Sequence, residues 1–372
     1  MVKLRTRVYG SPLLFPVFVF LYICCCGFLT IRNEKVRACG PGGRPMPKPI
    51  VWIVGTGGTI ASRYDPKIGG VVAAASTEEL IAAVPELRDI AEIHAVEHSK
   101  VNSPCIDTAT VFALRDTLRK LLADEKVAGA VVTHGTATLE ETAYMIDITL
   151  GASKPVVVTG SQRDFDEKDS DGPRNLLYAV KIAADPASVE RGVLVALGGE
   201  IHSAREAVKS HTYSINAFTS RDAGRIGMVS KEGVIYFSRP ERRVHLEVDH
   251  VKTNVQFVVM TQGSNDLLLR ACIQNRVDGI VVDGVGAGNL NLPFYHGVCD
   301  ALREGIPVVI SSRHLAGPPH PSKGYPGSLR SVVEHGAISA GYLSGVKARI
   351  LLMVALAHTR HREELRDIFA RA

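Results

Sequence analysis

Paired Cys-x-x-Cys motifs are missing from this 372-residue chain, which removes the usual signature of structural zinc. Cysteine is scarce beyond one N-terminal cluster. Cys105, Cys272 and Cys299 stand alone in apolar or helical contexts and read as reduced core residues. A strong charge imbalance is lacking too. Lys and Arg number 43 against 38 Asp and Glu, a net charge of +5. The basic residues gather mainly at the very N-terminus and in Arg239 to Arg243, without interleaved aromatics, so no nucleic-acid partner is expected. No internal repeat or low-complexity tract stands out. A composition 46% hydrophobic and 22% charged is that of an ordinary globular enzyme, and the length suggests two or three domains.

One long apolar run is present. Lys3, Arg5 and Arg7 precede Leu13 to Ile31, which is broken by Pro16 and Gly27. Residues 1–45 therefore read either as a signal- or anchor-like leader or as a start-site artefact. An A-x-A cleavage site is missing, and Leu21-Tyr22-Ile23-Cys24 is a poor lipoprotein box. Met46-Pro47-Lys48-Pro49 leads straight into the first strand, as a cytoplasmic start would. Localisation follows from that choice: cytoplasmic if translation starts at Met46, membrane-anchored or exported if the Leu13–Ile31 segment is real.

The chain is organised around two stretches. The first is Val54-Gly55-Thr56-Gly57-Gly58-Thr59-Ile60-Ala61, directly after the apolar run Ile50 to Ile53. A β-branched run ending in a glycine-rich turn reads as a buried strand delivering its C-terminal end into a loop. Open α/β sheets bind ligands at such ends. The loop has no lysine, so it is not a P-loop, and Ile60 stands where a dinucleotide fingerprint needs its third glycine. The second stretch is Thr133-His134-Gly135-Thr136-Ala137-Thr138-Leu139-Glu140-Glu141-Thr142-Ala143.

From Ile50 onward, short β-branched runs alternate with helical segments. Strands are expected at Ile50–Val54, Gly129–Thr133, Val156–Thr159 and Val193–Leu197, and helices at Thr77–Val84, Ala109–Ala123, Leu139–Leu150 and Arg174–Ala184. Ser76 with Glu79 and Thr138 with Glu141 both fit the capping box. Residues 46–237 form a larger N-terminal catalytic α/β domain with a parallel, flavodoxin-like sheet. Residues 238–254, charged and holding Pro240, read as a linker. Alternation then resumes over 255–372, a smaller C-terminal α/β domain. Its expected strands are Val255–Met260, Gly279–Asp283 and Val308–Ser311; its helices are Leu267–Gln274, Pro293–Arg303, Val346–Ala357 and Glu363–Ala370. Gly317 to Gly327, with four prolines, reads as a mobile loop.

Thr136 lies between a strand and a helix whose N-cap is Thr138. Such a helix start offers free N–H groups and partial positive charge for a carboxylate or oxyanion. Thr59 sits at an equivalent strand end, so two threonines on neighbouring strands can face one pocket. A threonine hydroxyl needs a base to become a nucleophile. His134 need not face the pocket and reads as structural. A lysine of lowered pKa is the other common activator, and Lys209, after the strand Val193–Leu197, is a candidate. Ser161 follows Gly160, but no G-x-S-x-G elbow surrounds it.

Here the chain resembles the bacterial-type L-asparaginases, the asparaginase/glutaminase family of threonine amidohydrolases, from Met46 to the C-terminus. Thr56-Gly57-Gly58-Thr59-Ile60-Ala61 resembles one family signature. Thr133-His134-Gly135-Thr136 with Thr138-Leu139-Glu140-Glu141-Thr142-Ala143 resembles the other. Asp171-Gly172-Pro173 with Asn175-Leu176, Gly284-Val285-Gly286 with Gly288-Asn289-Leu290, and Lys347-Ala348-Arg349 extend the likeness in order. The resemblance implies Thr59 as nucleophile, Thr136 as second catalytic threonine and Lys209 as its lysine. It implies Ser103, Gly58, Gly135 and Asn289 as substrate-binding residues, with Ser103 on the substrate α-carboxylate. It implies hydrolysis of L-asparagine to L-aspartate and ammonia through an acyl-enzyme, with neither metal nor cofactor. It also implies a homotetramer, a dimer of dimers with sites shared between subunits.

Three departures stand out. The family reads Thr-Asp-Thr where this chain has Thr136-Ala137-Thr138, and that aspartate grips the substrate α-ammonium. Tyr64, the candidate assisting tyrosine, follows Thr59 by only five residues. The Gly317–Glu334 loop offers Lys323 and Tyr325 in place of an obvious acid. These features leave two alternatives beside asparagine hydrolysis: an amidohydrolase for a related amide without a free α-ammonium, and a non-catalytic small-molecule-binding homologue.

Overall fold

The computed structural model describes residues 47–240 and 243–372. The expected leader lies outside the described residues. No helix among those described is long and apolar enough to cross a membrane.

The first sheet is built from β1 (Ile50–Gly55), β4 (Glu92–Glu97), β5 (Val127–Thr133), β6 (Val156–Thr159), β7 (Val193–Leu197), β8 (Glu200–Ser203), β11 (Gly227–Val229) and β12 (Val234–Tyr236), in the order β12-β11-β8-β7-β6-β5-β1-β4. Strands β4, β1, β5, β6 and β7 are parallel, while β8, β11 and β12 continue the sheet antiparallel. Two small hairpins complete the numbering: β2 (Ser62–Asp65) with β3 (Gly70–Ala73), and β9 (Val208–Lys209) with β10 (Phe218–Thr219). Helices α1 (Thr77–Ala82), α2 (Leu87–Ile90), α3 (Thr108–Leu122), α4 (Leu139–Leu150) and α5 (Gly172–Ala184) connect the strands.

Both faces of this sheet are covered, which explains its continuous apolar runs. In β1, Val51 and Ile53 pack with Leu176, Ala179 and Val180 of α5. Trp52 and Val54 turn to the other face, where α3 and α4 lie. A period of two decides which side each residue takes.

The second sheet is wholly parallel, β13 (Val255–Val259), β14 (Gly279–Gly284), β15 (Val308–Ser312) and β16 (Ile338–Ser339), in chain order. Helices α6 (Leu267–Gln274), α7 (Leu292–Arg303) and α8 (Leu329–Glu334) share one apolar cluster with one face of this sheet. Helices α9 (Gly345–His358) and α10 (Arg362–Arg371) pack with the other face. Helix α9 is buried nearly all round: Ile350 through Leu356 are inaccessible or almost so. A helix apolar on every side needs partners on every side. Its neighbours include α4 as well as β13, β14 and β15. One apolar cluster thus runs from α3 and α4 through α9 into the second sheet.

Two local expectations change. Ser76 forms its capping box with Glu79, but Thr138 does not cap α4. Its hydroxyl donates instead to the Ser103 carbonyl at 2.8 Å, so it is unavailable to the helix N–H groups. Cys105 is exposed rather than core, whereas Cys272 is buried; both are free thiols, as is Cys299.

Candidate active site

Strands β1 and β5 are direct parallel neighbours, with Gly55 in register with Thr133. The two glycine-bearing loops therefore leave the sheet side by side. Thr56 locks them together: its N–H and its hydroxyl both donate to the Thr133 carbonyl, at 3.1 and 2.8 Å. Beyond that clamp the loops touch through bare backbone. A Cβ on Gly58 would lie 2.3 Å from both Cα and N of Gly135, and Gly58 sits at φ +84. Only glycine satisfies the contact and the dihedral together. Thr59 and Thr136 each follow one member of this touching pair.

Ser103 meets the same junction. A Cβ on Gly135 would lie 2.7 Å from Ser103 Oγ. Ser103 is brought there by the segment after β4. In that segment His98 and Ser99 N–H donate to the Gly55 carbonyl, and Val101 N–H donates to that of Thr56. Gly57 leaves room for this segment, since a Cβ there would fall 2.8 Å from the Val101 backbone.

Thr59 opens a single 3-10 turn, held by Ala61 N–H and Ser62 Oγ donating to the Gly58 carbonyl at 2.9 Å each. Its own hydroxyl has no hydrogen bond to a described residue. Thr136 is buried, and its Oγ1 accepts from Lys209 Nζ at 2.7 Å. Lys209 lies on β9, and its backbone N–H donates to Glu140 in the first turn of α4. Burial lowers the Lys209 pKa, and the Glu140 charge opposes that shift. The pair Thr136–Lys209 is thus a hydroxyl beside an amine that gives up its proton more easily than usual, which suits proton transfer.

His134 is fully buried. Its Nδ1 donates to the Gly135 carbonyl at 2.8 Å, and burial pulls its pKa down to about 4. It is a neutral, structural imidazole. Tyr64 lies on the β2–β3 hairpin opposite Val71 and is 63% exposed. Asn289 lies in the loop after β14: it closes a turn through paired backbone bonds with Val285, and its Oδ1 is buried without a partner among the described residues. The junction thus gathers Thr59, Thr136, Lys209, Ser103, Gly58 and Gly135, and Tyr64 and Asn289 make no hydrogen bond to any of these. Ala137 is exposed and brings no charge to the start of α4.

Two supporting roles escape sequence reasoning. Glu140 looks like part of a helix start, yet its carboxylate binds the Lys209 backbone. Its place in the first turn of α4, four residues after Thr136, is the only sequence hint. Lys347, in the first turn of α9, is fully buried and donates to the carbonyls of Ala204 (2.8 Å), Arg205 (2.9 Å) and Ala207. It pins the segment that carries Lys209. A lysine inside a helical run offers no signal for such a role.

Fold and site together describe an α/β chain in which two threonine hydroxyls and one lysine gather at the ends of neighbouring strands. Residues 50–242 match the family model described as asparaginase, N-terminal, and residues 254–369 the one described as glutaminase/asparaginase C-terminal domain. The chain is 35% identical over 334 residues to L-asparaginase 2 of Bacillus subtilis, covering 86% of each chain. It is 33% identical over 339 residues to L-asparaginase 2 of Escherichia coli, covering 89% of this chain and 95% of that one. A crystal structure of a probable cytoplasmic L-asparaginase from Campylobacter jejuni superposes with a TM-score of 0.79 at 31% identity, over 87% of this chain and 100% of that one. The chain belongs to the asparaginase family. It is an asparaginase-type amidohydrolase, and its substrate is a small-molecule amide.

Proposed function

We propose that the chain hydrolyses L-asparagine to L-aspartate and ammonia, with Thr59 as the nucleophile. The observation that carries this reading is the 2.7 Å bond between Lys209 Nζ and Thr136 Oγ1, set beside Thr59 by the contact of Gly58 with Gly135. Thr59 Oγ1 bonds to the side-chain amide carbon. The carbonyl electron pair moves to oxygen, and backbone N–H groups of the Gly57–Gly58 turn or of Thr136 hold that oxyanion. The proton moves through Thr136 and Lys209 to the departing nitrogen, and ammonia leaves. Water then attacks the ester on Thr59, releasing the acid and restoring the hydroxyl. Ser103 binds the α-carboxylate. The same reading takes 46–237 as the catalytic domain, 238–254 as linker and 255–372 as the second domain. Asn289, with its buried unpartnered oxygen, completes the site of a neighbouring subunit in a homotetramer. Cellular location turns on whether the Leu13–Ile31 segment is retained.

Ala137 favours a second reading. A family site that grips the α-ammonium uses an aspartate there, and this chain presents a methyl group. Losing a charge-assisted hydrogen bond costs about 1.5–3 kcal/mol, or roughly 10- to 100-fold in rate. The substrate is then an amide whose α-amine is absent or acylated. Ammonia release from L-asparagine, succinamate and an N-acyl asparagine separates the readings. Preference for L-asparagine upholds the first. Preference for succinamate or the acylated amide, reversed by Ala137→Asp, upholds the second.

A further inference from the structure

A cavity of about 520 Å³ lies beside the segment that carries Lys209, and the proposed reaction uses none of its lining. Its size is that of small-molecule sites, roughly 300–1,000 Å³. Three guanidiniums line it, from Arg205, Arg221 and Arg239, against two carboxylates, Glu206 and Asp222. Both acids already have partners. Glu206 is shared by Arg205 and Arg221, and Asp222 accepts from Gly317 N–H at 2.8 Å. The balance leaves one excess positive charge.

Arg221 keeps one buried donor unsatisfied. Its side chain is only 9% exposed. One of its terminal nitrogens donates to the Tyr342 carbonyl, but its Nε is buried with no partner among the described residues. Buried donors are seldom left so, because the lost solvation is not replaced. Its φ of +44 lies in the left-handed region, uncommon for a non-glycine residue. Strain of this kind gathers at ligand sites. Arg239 is exposed and has no ion pair with a described residue. Ile226 and Pro240 give the same cavity an apolar wall.

We propose that this cavity binds a small carboxylate with an apolar body, its carboxylate held by Arg221 and Arg239. A planar guanidinium presents two parallel donors that match a carboxylate. A single excess charge balances one carboxylate better than a phosphate dianion. The apolar wall receives the rest of the ligand. The site is separate from the threonine junction and stands whatever amide is hydrolysed there.

Benzoate is the probe, titrated calorimetrically into the full chain, with neutral benzamide and inorganic phosphate alongside. The expected result is one saturable benzoate site per chain, with benzamide and phosphate at least about tenfold weaker. Arg239→Gln and Arg221→Gln each weaken benzoate by at least about tenfold, and Arg239→Gln leaves ammonia release unchanged. Because Arg239 is exposed, its variant remains informative should Arg221→Gln fail to fold. Three results overturn the proposal: no benzoate saturation, equal binding by wild type and Arg239→Gln, or benzamide or phosphate binding as tightly as benzoate.

Discussion

Burial takes water from Lys209 without giving it a side-chain carboxylate at hydrogen-bond distance, since Ala137 stands where the family has aspartate and Glu140 binds only its backbone N–H. Its pKa is lowered, so the neutral amine that can accept the Thr136 proton appears at lower pH than for an ordinary lysine. Turnover is expected to rise with pH and to level off below the usual lysine range, and Lys209→Arg to abolish that rise. The Glu140 charge opposes the shift, so Glu140→Gln moves the inflection to still lower pH. A pH–rate profile of both variants checks the sign; an inflection moved upward in Glu140→Gln would contradict it. Thr136→Ala separates an enzyme from a binding homologue, because it removes turnover while a simple pocket would still hold its ligand. The sequence pattern puts the two threonines at neighbouring strand ends, and the family likeness pairs Lys209 with Thr136, which is where the structure places them. Glu140 and Lys347 were not, because their roles come from segments far apart in sequence.

Glycine contacts at the loop ends make the two motifs one unit. Gly58→Ala would force a Cβ to 2.3 Å from Gly135 at a φ of +84, an overpacking and backbone cost of about 1–3 kcal/mol or more. It is expected to lower both thermal stability and turnover. Ser76→Ala removes the cap of α1 and costs about 1 kcal/mol without touching kcat, which denaturant unfolding and a rate assay can tell apart. The central strands were legible because a sheet covered on both faces writes continuous apolar runs, as in Val156–Thr159, where every residue is buried. Strand β4 was not: Glu-Ile-His-Ala-Val-Glu lies at the sheet edge with no fully buried residue. The short antiparallel strands β8, β11 and β12 were missed because three or four residues carry too little periodicity. Helix α4 shows the limit of capping rules. Its bounds were readable, but Thr138 spends its hydroxyl on a carbonyl brought from the loop after β4.

A single apolar cluster joins the two sheets through α9, so both are expected to unfold in one transition. Leu352→Ala, in the buried face of α9 against Gly279, should destabilise that transition by about 2–5 kcal/mol. Lys347 gives the same junction a pH dependence. Burial pulls its pKa down to about 7, so between that pH and the ordinary lysine range the folded chain binds fewer protons than the unfolded chain. Stability then rises with pH across that window. Lys347→Met strands three carbonyls and is expected to cost at least about 2 kcal/mol, and to flatten that rise in a pH series of melting curves. The central claim is that Thr59 is the nucleophile of an amide hydrolysis served by Thr136 and Lys209. The most direct measurement is ammonia release from L-asparagine, succinamate and an N-acyl asparagine by the full chain and by Thr59→Ala. Release by the wild type on at least one of the three amides is expected, and none above background for Thr59→Ala, with its fold intact. Undiminished release by Thr59→Ala, or silence of the folded wild type on all three, would contradict the assignment of Thr59 as nucleophile.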